Sequence, residues 1–348
     1  MHKKMNLSGP GFMGVAAMTI LATGMMSGLH AQSAQMQPDQ APMSTPVSQD
    51  SLGPLKHVHA GVLDVAYAEL GPADGPVVIL LHGWPYDIHS YQDVAPALAA
   101  KGYRVLVPYA RGYGETRFLS KSTMRNAEPA ALAKDVIDFM DALNIKHAVL
   151  GGFDWGARSA DIVAALWPER VKALVSVSGY LIGSQTSGKA PLPPKAEYQW
   201  WYQYYFTTER GRIGYEKNHR DFARLIWQLA SPKWSFDDAT YERSASALDN
   251  PDHVAITIHN YRWRLDLVKG EARYDALEKR LAQFPKISVP TITLEGDANG
   301  APHPQPEAYA KQFTGKYQFR LITGGIGHNL PEEAPQAFTQ AVIDADHL

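Results

Sequence analysis

Asp154 stands at the centre of Gly152-Phe153-Asp154-Trp155-Gly156. The preceding run, His147-Ala148-Val149-Leu150-Gly151, reads as a buried strand, and Ala157–Trp167 has helical spacing with no breaker before Pro168. Strand, Gly-x-nucleophile-x-Gly, helix is a sharp turn that lifts one side chain clear of a sheet. A carboxylate there, with an ordinary pKa of about 4, is ionised at neutral pH without help from a base. Attack on an ester or amide would give an anhydride, which is uphill. Attack on a tetrahedral carbon gives a stable alkyl ester. The aspartate therefore points to displacement at saturated carbon, followed by hydrolysis of that ester.

Ester hydrolysis needs a base for water, and His328 in Gly325-Ile326-Gly327-His328-Asn329 is the candidate. Asp297, in Glu295-Gly296-Asp297-Ala298, is the candidate acid that would fix the tautomer of His328 and stabilise its imidazolium. The turn His82-Gly83-Trp84-Pro85 follows an apolar strand directly. Its Trp84 N–H would converge with the N–H of Trp155 to form an oxyanion hole around a carboxyl oxygen of Asp154.

The elements that must position these groups alternate. Val62–Leu70, Val77–Leu81, Tyr103–Val107, Val171–Val177, Val289–Leu294 and Tyr317–Ile322 read as strands; Tyr91–Ala100, Pro129–Leu143 and Pro331–Ile343 read as helices. This order implies a mostly parallel sheet with helices on both faces. Residues 184–275 break the rhythm with helical spacing and no parallel strand. They read as a helical cap over the carboxyl ends of the strands, where open α/β sheets bind ligands. The core is then 55–183 and 276–348. The cap holds eight of the chain's 17 tyrosines, and tyrosine offers an apolar body with a hydroxyl donor.

The chain has 348 residues, 45% hydrophobic and 20% charged, with a formal net charge of −2. This is globular composition with no nucleic-acid footprint. The absence of cysteine excludes disulfides, thiolate metal sites and thiol catalysis. At the N-terminus, His2-Lys3-Lys4, the apolar stretch Gly14–Leu29 and Leu29-His30-Ala31 form the pattern of a secretory signal peptide over residues 1–31. Residues 32–54, rich in Gln, Ser and Pro, read as a disordered linker. The expectation is a secreted or periplasmic protein with no stable membrane insertion after cleavage. His57 and His59 have no third ligand in sequence, so no metal is expected there. No phosphate-binding Gly-rich loop follows the first strand, and no cofactor is implied.

His82-Gly83-Trp84-Pro85, Arg111-Gly112-Tyr113-Gly114-Glu115-Thr116, Asp154-Trp155-Gly156, Trp167-Pro168-Glu169-Arg170-Val171 and Gly327-His328 together resemble the epoxide hydrolases of the α/β-hydrolase superfamily, over about residues 55–345. The resemblance implies an α/β-hydrolase core with an inserted helical lid. Two cap segments are more selective: Tyr202-Gln203-Tyr204-Tyr205-Phe206 and Asn260-Tyr261-Arg262. By resemblance, Tyr202 and Tyr261 would hold the oxirane oxygen and stabilise the alkoxide. The sequence departs from the family pattern at Phe153, where histidine is usual, and at Pro108-Tyr109-Ala110, where an acidic residue is common.

The expected reaction is hydrolysis of a small hydrophobic epoxide to a vicinal diol. Two alternatives stand beside it. A haloacid or haloalkane dehalogenase would use the same Asp-His-Asp set, with Arg111 and Arg117 available to clamp a carboxylate. A non-catalytic binding protein would keep the fold without turnover.

Overall fold

In the computed structural model, which describes residues 51–348, the apolar runs become neighbouring strands of one sheet. The strands are β1 (Lys56–Ala60), β2 (Leu63–Leu70), β3 (Val77–Leu81), β4 (Arg104–Pro108), β5 (Arg117–Phe118), β6 (Ala148–Gly152), β7 (Val171–Val177), β8 (Thr291–Gly296) and β9 (Tyr317–Ile322). Their order is β1-β2-β4-β3-β6-β7-β8-β9, with β5 pairing to β2. From β4 to β9 the pairings are parallel; β1 and β2 join antiparallel. The tight Ala60-Gly61-Val62 turn between β1 and β2 can make only an antiparallel pair, because a parallel return needs a long crossover.

The side chains alternate as the period of a strand requires. Val78, Leu80, Val105 and Val107 pack on one face with Val94 and Leu98 of α1 (Val94–Ala99). Ile79, Leu81, Leu106 and Leu150 pack on the other with α2 (Pro129–Ala142) and α3 (Trp155–Leu166). Both faces are covered, so the central strands are apolar throughout instead of alternating with polar residues. Burying each such aliphatic side chain contributes roughly 1.5–3 kcal/mol before entropy is counted.

Among the described residues, the chain between β7 and β8 forms helices and no strand: α4 (Gln185–Gly188), α5 (Pro194–Gln199), α6 (Trp201–Thr207), α7 (Glu209–Ala230), α8 (Asp238–Ala245), α9 (His253–Arg264) and α10 (Asp275–Leu281). After β8 come α11 (Pro306–Tyr309), α12 (Leu330–Glu333) and α13 (Pro335–Asp346). The single helix expected over 331–343 is thus two. Pro335 has no N–H to continue a helix from Leu330, and Ala334 leaves helical geometry at φ −140°.

The expected signal peptide, and the expected linker up to residue 50, lie outside the described residues. Leu52 is already buried in the core, ahead of the boundary at residue 55 drawn from composition. His57 also finds partners that its sequence neighbourhood does not reveal, Asp64 at 3.3 Å and Glu115 at 3.2 Å.

Candidate active site

The turn after β6 places Asp154 at φ +52°, ψ −124°, a backbone conformation a non-glycine residue holds only when its surroundings enforce it. The enforcement is steric. A Cβ on Gly156 would sit 1.9 Å from the Leu81 carbonyl oxygen, and one on Gly83 would sit 2.5 Å from Oδ1 of Asp154. Only glycine at both positions lets β3, the turn after it and the elbow approach this closely.

The two oxygens of Asp154 have different environments. Oδ1 accepts the Trp84 N–H at 2.8 Å, and the neighbouring Trp155 amide also favours the charged carboxylate. Oδ2 faces His328, whose Nε2 lies 3.4 Å away. Burial alone would raise the Asp154 pKa. The hydrogen bond and charge of His328, the charge of Arg158 and the Trp155 amide outweigh it and hold the carboxyl below its ordinary value. The amino end of α3 adds a favourable dipole.

Trp84 is itself fixed from the cap. Its indole N–H donates to Tyr215 Oη at 2.9 Å, and Tyr215 donates to His253 Nε2 at 2.7 Å. The opposite nitrogen of His253 bonds the Gly112 carbonyl at 3.0 Å. Burial pushes His253 down to about 3, so it stays neutral. The His82 ring is structural: it receives the Ala110 N–H at 3.1 Å and bonds the Gly83 carbonyl.

His328 follows β9. Its backbone N–H donates to Ser231 Oγ at 2.9 Å, and the neighbouring Gly327 N–H donates to Glu333 at 2.6 Å. Phe153, the departure from the family pattern, packs edge-on at 6.2 Å from the His328 ring.

Asp297 differs from expectation. Its carboxylate accepts the N–H groups of Gly324 (3.1 Å), Gly325 (2.8 Å) and Ile326 (2.9 Å) and does not reach His328. The buried Nδ1 of His328 has no partner. Three converging amides in one turn outcompete a single ring N–H. Desolvation raises the Asp297 pKa, but those amides prevail and leave it lowered. The structure thus brings Asp154, His328, Trp84 and Trp155 together and leaves Asp297 holding the turn that precedes the histidine.

Above the nucleophile, Tyr202 and Tyr261 meet edge to face with ring centroids 5.4 Å apart. Each packs on Trp84 at 5.1 Å. They line, with Asp154 and His328, one cavity of about 410 Å³. Burial, reinforced by the Asp154 charge, keeps both phenols protonated far above neutral pH. Arg111, weighed as a carboxylate clamp, is buried and paired to both oxygens of Asp135 at 2.6 Å. Arg117 donates to the Gly114 and Thr116 carbonyls. Neither lines the cavity. Arg158 and Arg264 do, and the sequence reading missed both. Arg158 lies one helical turn beyond the nucleophile, a spacing that could have flagged it.

An α/β-hydrolase fold model matches residues 76–220. A crystal structure of a candidate epoxide hydrolase from Klebsiella pneumoniae is 65% identical, with a TM-score of 0.84, over 84% of this chain and 97% of that one. Epoxide hydrolase B of Mycobacterium tuberculosis is 34% identical over 40% of this chain and 42% of its own length. Epoxide hydrolase A of the same organism is 27% identical over 79% of this chain and 92% of its own. The match thus spans less than half of the first of these curated relatives. With the fold, the elbow and these likenesses together, the chain belongs to the α/β-hydrolase superfamily. Its place there is the epoxide hydrolase branch.

Proposed function

We propose that this protein hydrolyses an epoxide to a vicinal diol through a covalent ester on Asp154. The observation that carries the reading is the division of labour at the carboxylate. One oxygen is held by the Trp84 amide and the other is open to the cavity beneath two phenols.

Oδ2 of Asp154 attacks an oxirane carbon as the C–O bond breaks. Tyr202 and Tyr261, kept protonated by burial, donate hydrogen bonds to the oxygen as it becomes an alkoxide. His328 Nε2 then takes a proton from water, and the hydroxide adds to the Asp154 carboxyl carbon. The charge that develops falls on Oδ1, where the Trp84 and Trp155 amides meet it. Collapse releases the diol with Oδ2 in it: the proton on His328 passes to that departing oxygen, and the water's second proton, carried on the Asp154 carboxyl, replaces the one that a tyrosine gives to the ring oxygen, so Asp154 ends ionised. The aspartate is left with one oxygen from water.

Single-turnover hydrolysis in heavy-oxygen water tests this. The first-cycle label goes to Asp154, and label appearing directly in the diol would exclude the covalent route. We further propose that residues 1–31 direct export and are removed. Mass spectrometry of the mature chain, starting at or near Gln32, would support this; a retained Met1 would count against it.

A further inference from the structure

The cavity holds two arginines that this reaction does not use. Arg158 on α3 bonds the Asp154 carbonyl through its own N–H at 3.1 Å. Its Nε donates to the Leu181 carbonyl at 3.1 Å, while Nη1 is buried with no partner. Arg264 closes α9, three residues beyond Tyr261. Its guanidinium lies 5.3 Å from the Trp200 ring and 5.6 Å from the Tyr261 ring. Among the described residues neither arginine has a carboxylate within ion-pair distance. Both also line a second cavity of about 190 Å³, so they stand in the wall between it and the active site.

Glu197 lines the second cavity, but its oxygens take the Leu192 N–H and the Tyr204 hydroxyl, and in the active-site cavity the charge is unbalanced. Asp154 is the one carboxylate among the described residues lining the active-site cavity, and it is needed free for attack. Asp161, three residues beyond Arg158, is pushed by burial up to about 8 and is therefore largely protonated at neutral pH. Burial and the Arg264 charge push Arg158 down to about 10, which still leaves it charged. Two guanidiniums against one carboxylate leave a net positive cavity, and a planar fork of N–H donors suits a carboxylate. Removing a counter-charge from such a site costs more than leaving an exposed pair unmade.

We propose that Arg158 and Arg264 form an anion site that receives a carboxylate on the substrate, so that the preferred substrates are epoxides carrying a carboxylate on a short chain. The word epoxide rests on the function proposed above; the anion site does not.

The test uses the full-length protein and two unreactive probes of one shape, phenylacetate and phenylacetamide, measured by calorimetry. Phenylacetate should bind at least about tenfold more tightly, and R158Q or R264Q should each bring that ratio to near one. Equal binding of the two probes to the wild-type protein, or no binding of phenylacetate, would overturn the anion site without recourse to any variant. In turnover, 3-phenylglycidate should exceed its methyl ester in kcat/KM by at least about tenfold. Equal rates would overturn the carboxylate preference and leave epoxide hydrolysis standing. Halide release from haloacetates, with neither epoxide consumed and the probe ratio intact, would instead reject the epoxide and keep the anion site.

Discussion

His328 Nε2 lies 3.4 Å from Oδ2 of Asp154, the carboxylate oxygen that the Trp84 amide does not hold. Base and nucleophile therefore meet at the oxygen that would carry the substrate, and the other oxygen is reserved for developing charge. This relationship separates two half-reactions that different substitutions should isolate.

Asp154→Ala removes the atom that forms the ester, so no adduct and no diol should form. His328→Gln leaves the nucleophile ionised and removes the base. The expected outcome is a chain heavier by one intact epoxide, seen by mass spectrometry, with kcat lowered about 10³-fold or more. An H328Q protein that turns over without an adduct would place the base elsewhere.

Tyr202→Phe and Tyr261→Phe each delete one donor to the alkoxide while keeping the ring that packs on Trp84. Each should lower kcat/KM roughly 10²-fold, and the double variant further. Rates within about threefold of wild type would assign both tyrosines to packing.

Asp297→Asn tests what holds the Gly324–Ile326 turn. The Asp297 pKa is lowered in the fold, so its stabilising contribution is present above the unfolded value near pH 4 and is lost as pH falls below it. D297N should lower Tm at pH 7, with the gap closing towards pH 3. The pH–rate profile should keep its limb positions. A limb displaced by a unit or more would show the carboxylate acting on the His328 ring.

Tyr215→Phe strips the partner from two buried nitrogens, Trp84 Nε1 and His253 Nε2. A loss of roughly 2–4 kcal/mol in stability is expected. kcat should fall more than KM rises, because the Trp84 amide serves charge that develops during reaction. Denaturant unfolding and steady-state rates check both.

Asp161 has one oxygen on the Leu181 N–H at 2.7 Å and the other buried without a partner. Its folded pKa is raised to about 8. The stability linked to its proton is full below the unfolded value near pH 4 and is lost as pH rises through 8. Tm should therefore fall between pH 5 and pH 9, and Asp161→Asn should flatten that slope. Parallel curves for the two proteins would mean Asp161 is ionised throughout.

The chemistry was legible in the chain because it depends on residue type and local order. An aspartate between glycines, after an apolar run and before a helical one, specifies both the turn and the kind of bond it can break. Apolar runs of strand length likewise specified the sheet, and their continuous apolarity announced burial on both faces. Three matters were decided only by tertiary packing. Asp297 went to the amides of a turn following the next strand, because three converging donors outweigh one ring nitrogen a few residues further on. Tyr215 and His253 came together from separate cap helices to brace Trp84. Arg158 and Arg264, on α3 and α9, converged on one cavity in which neither has an ion-pair partner among the described residues. Periodicity fixes which face a residue occupies within its own helix or strand, but which faces meet is set by the fit of whole elements, and that fit is where the charge balance of this site is made.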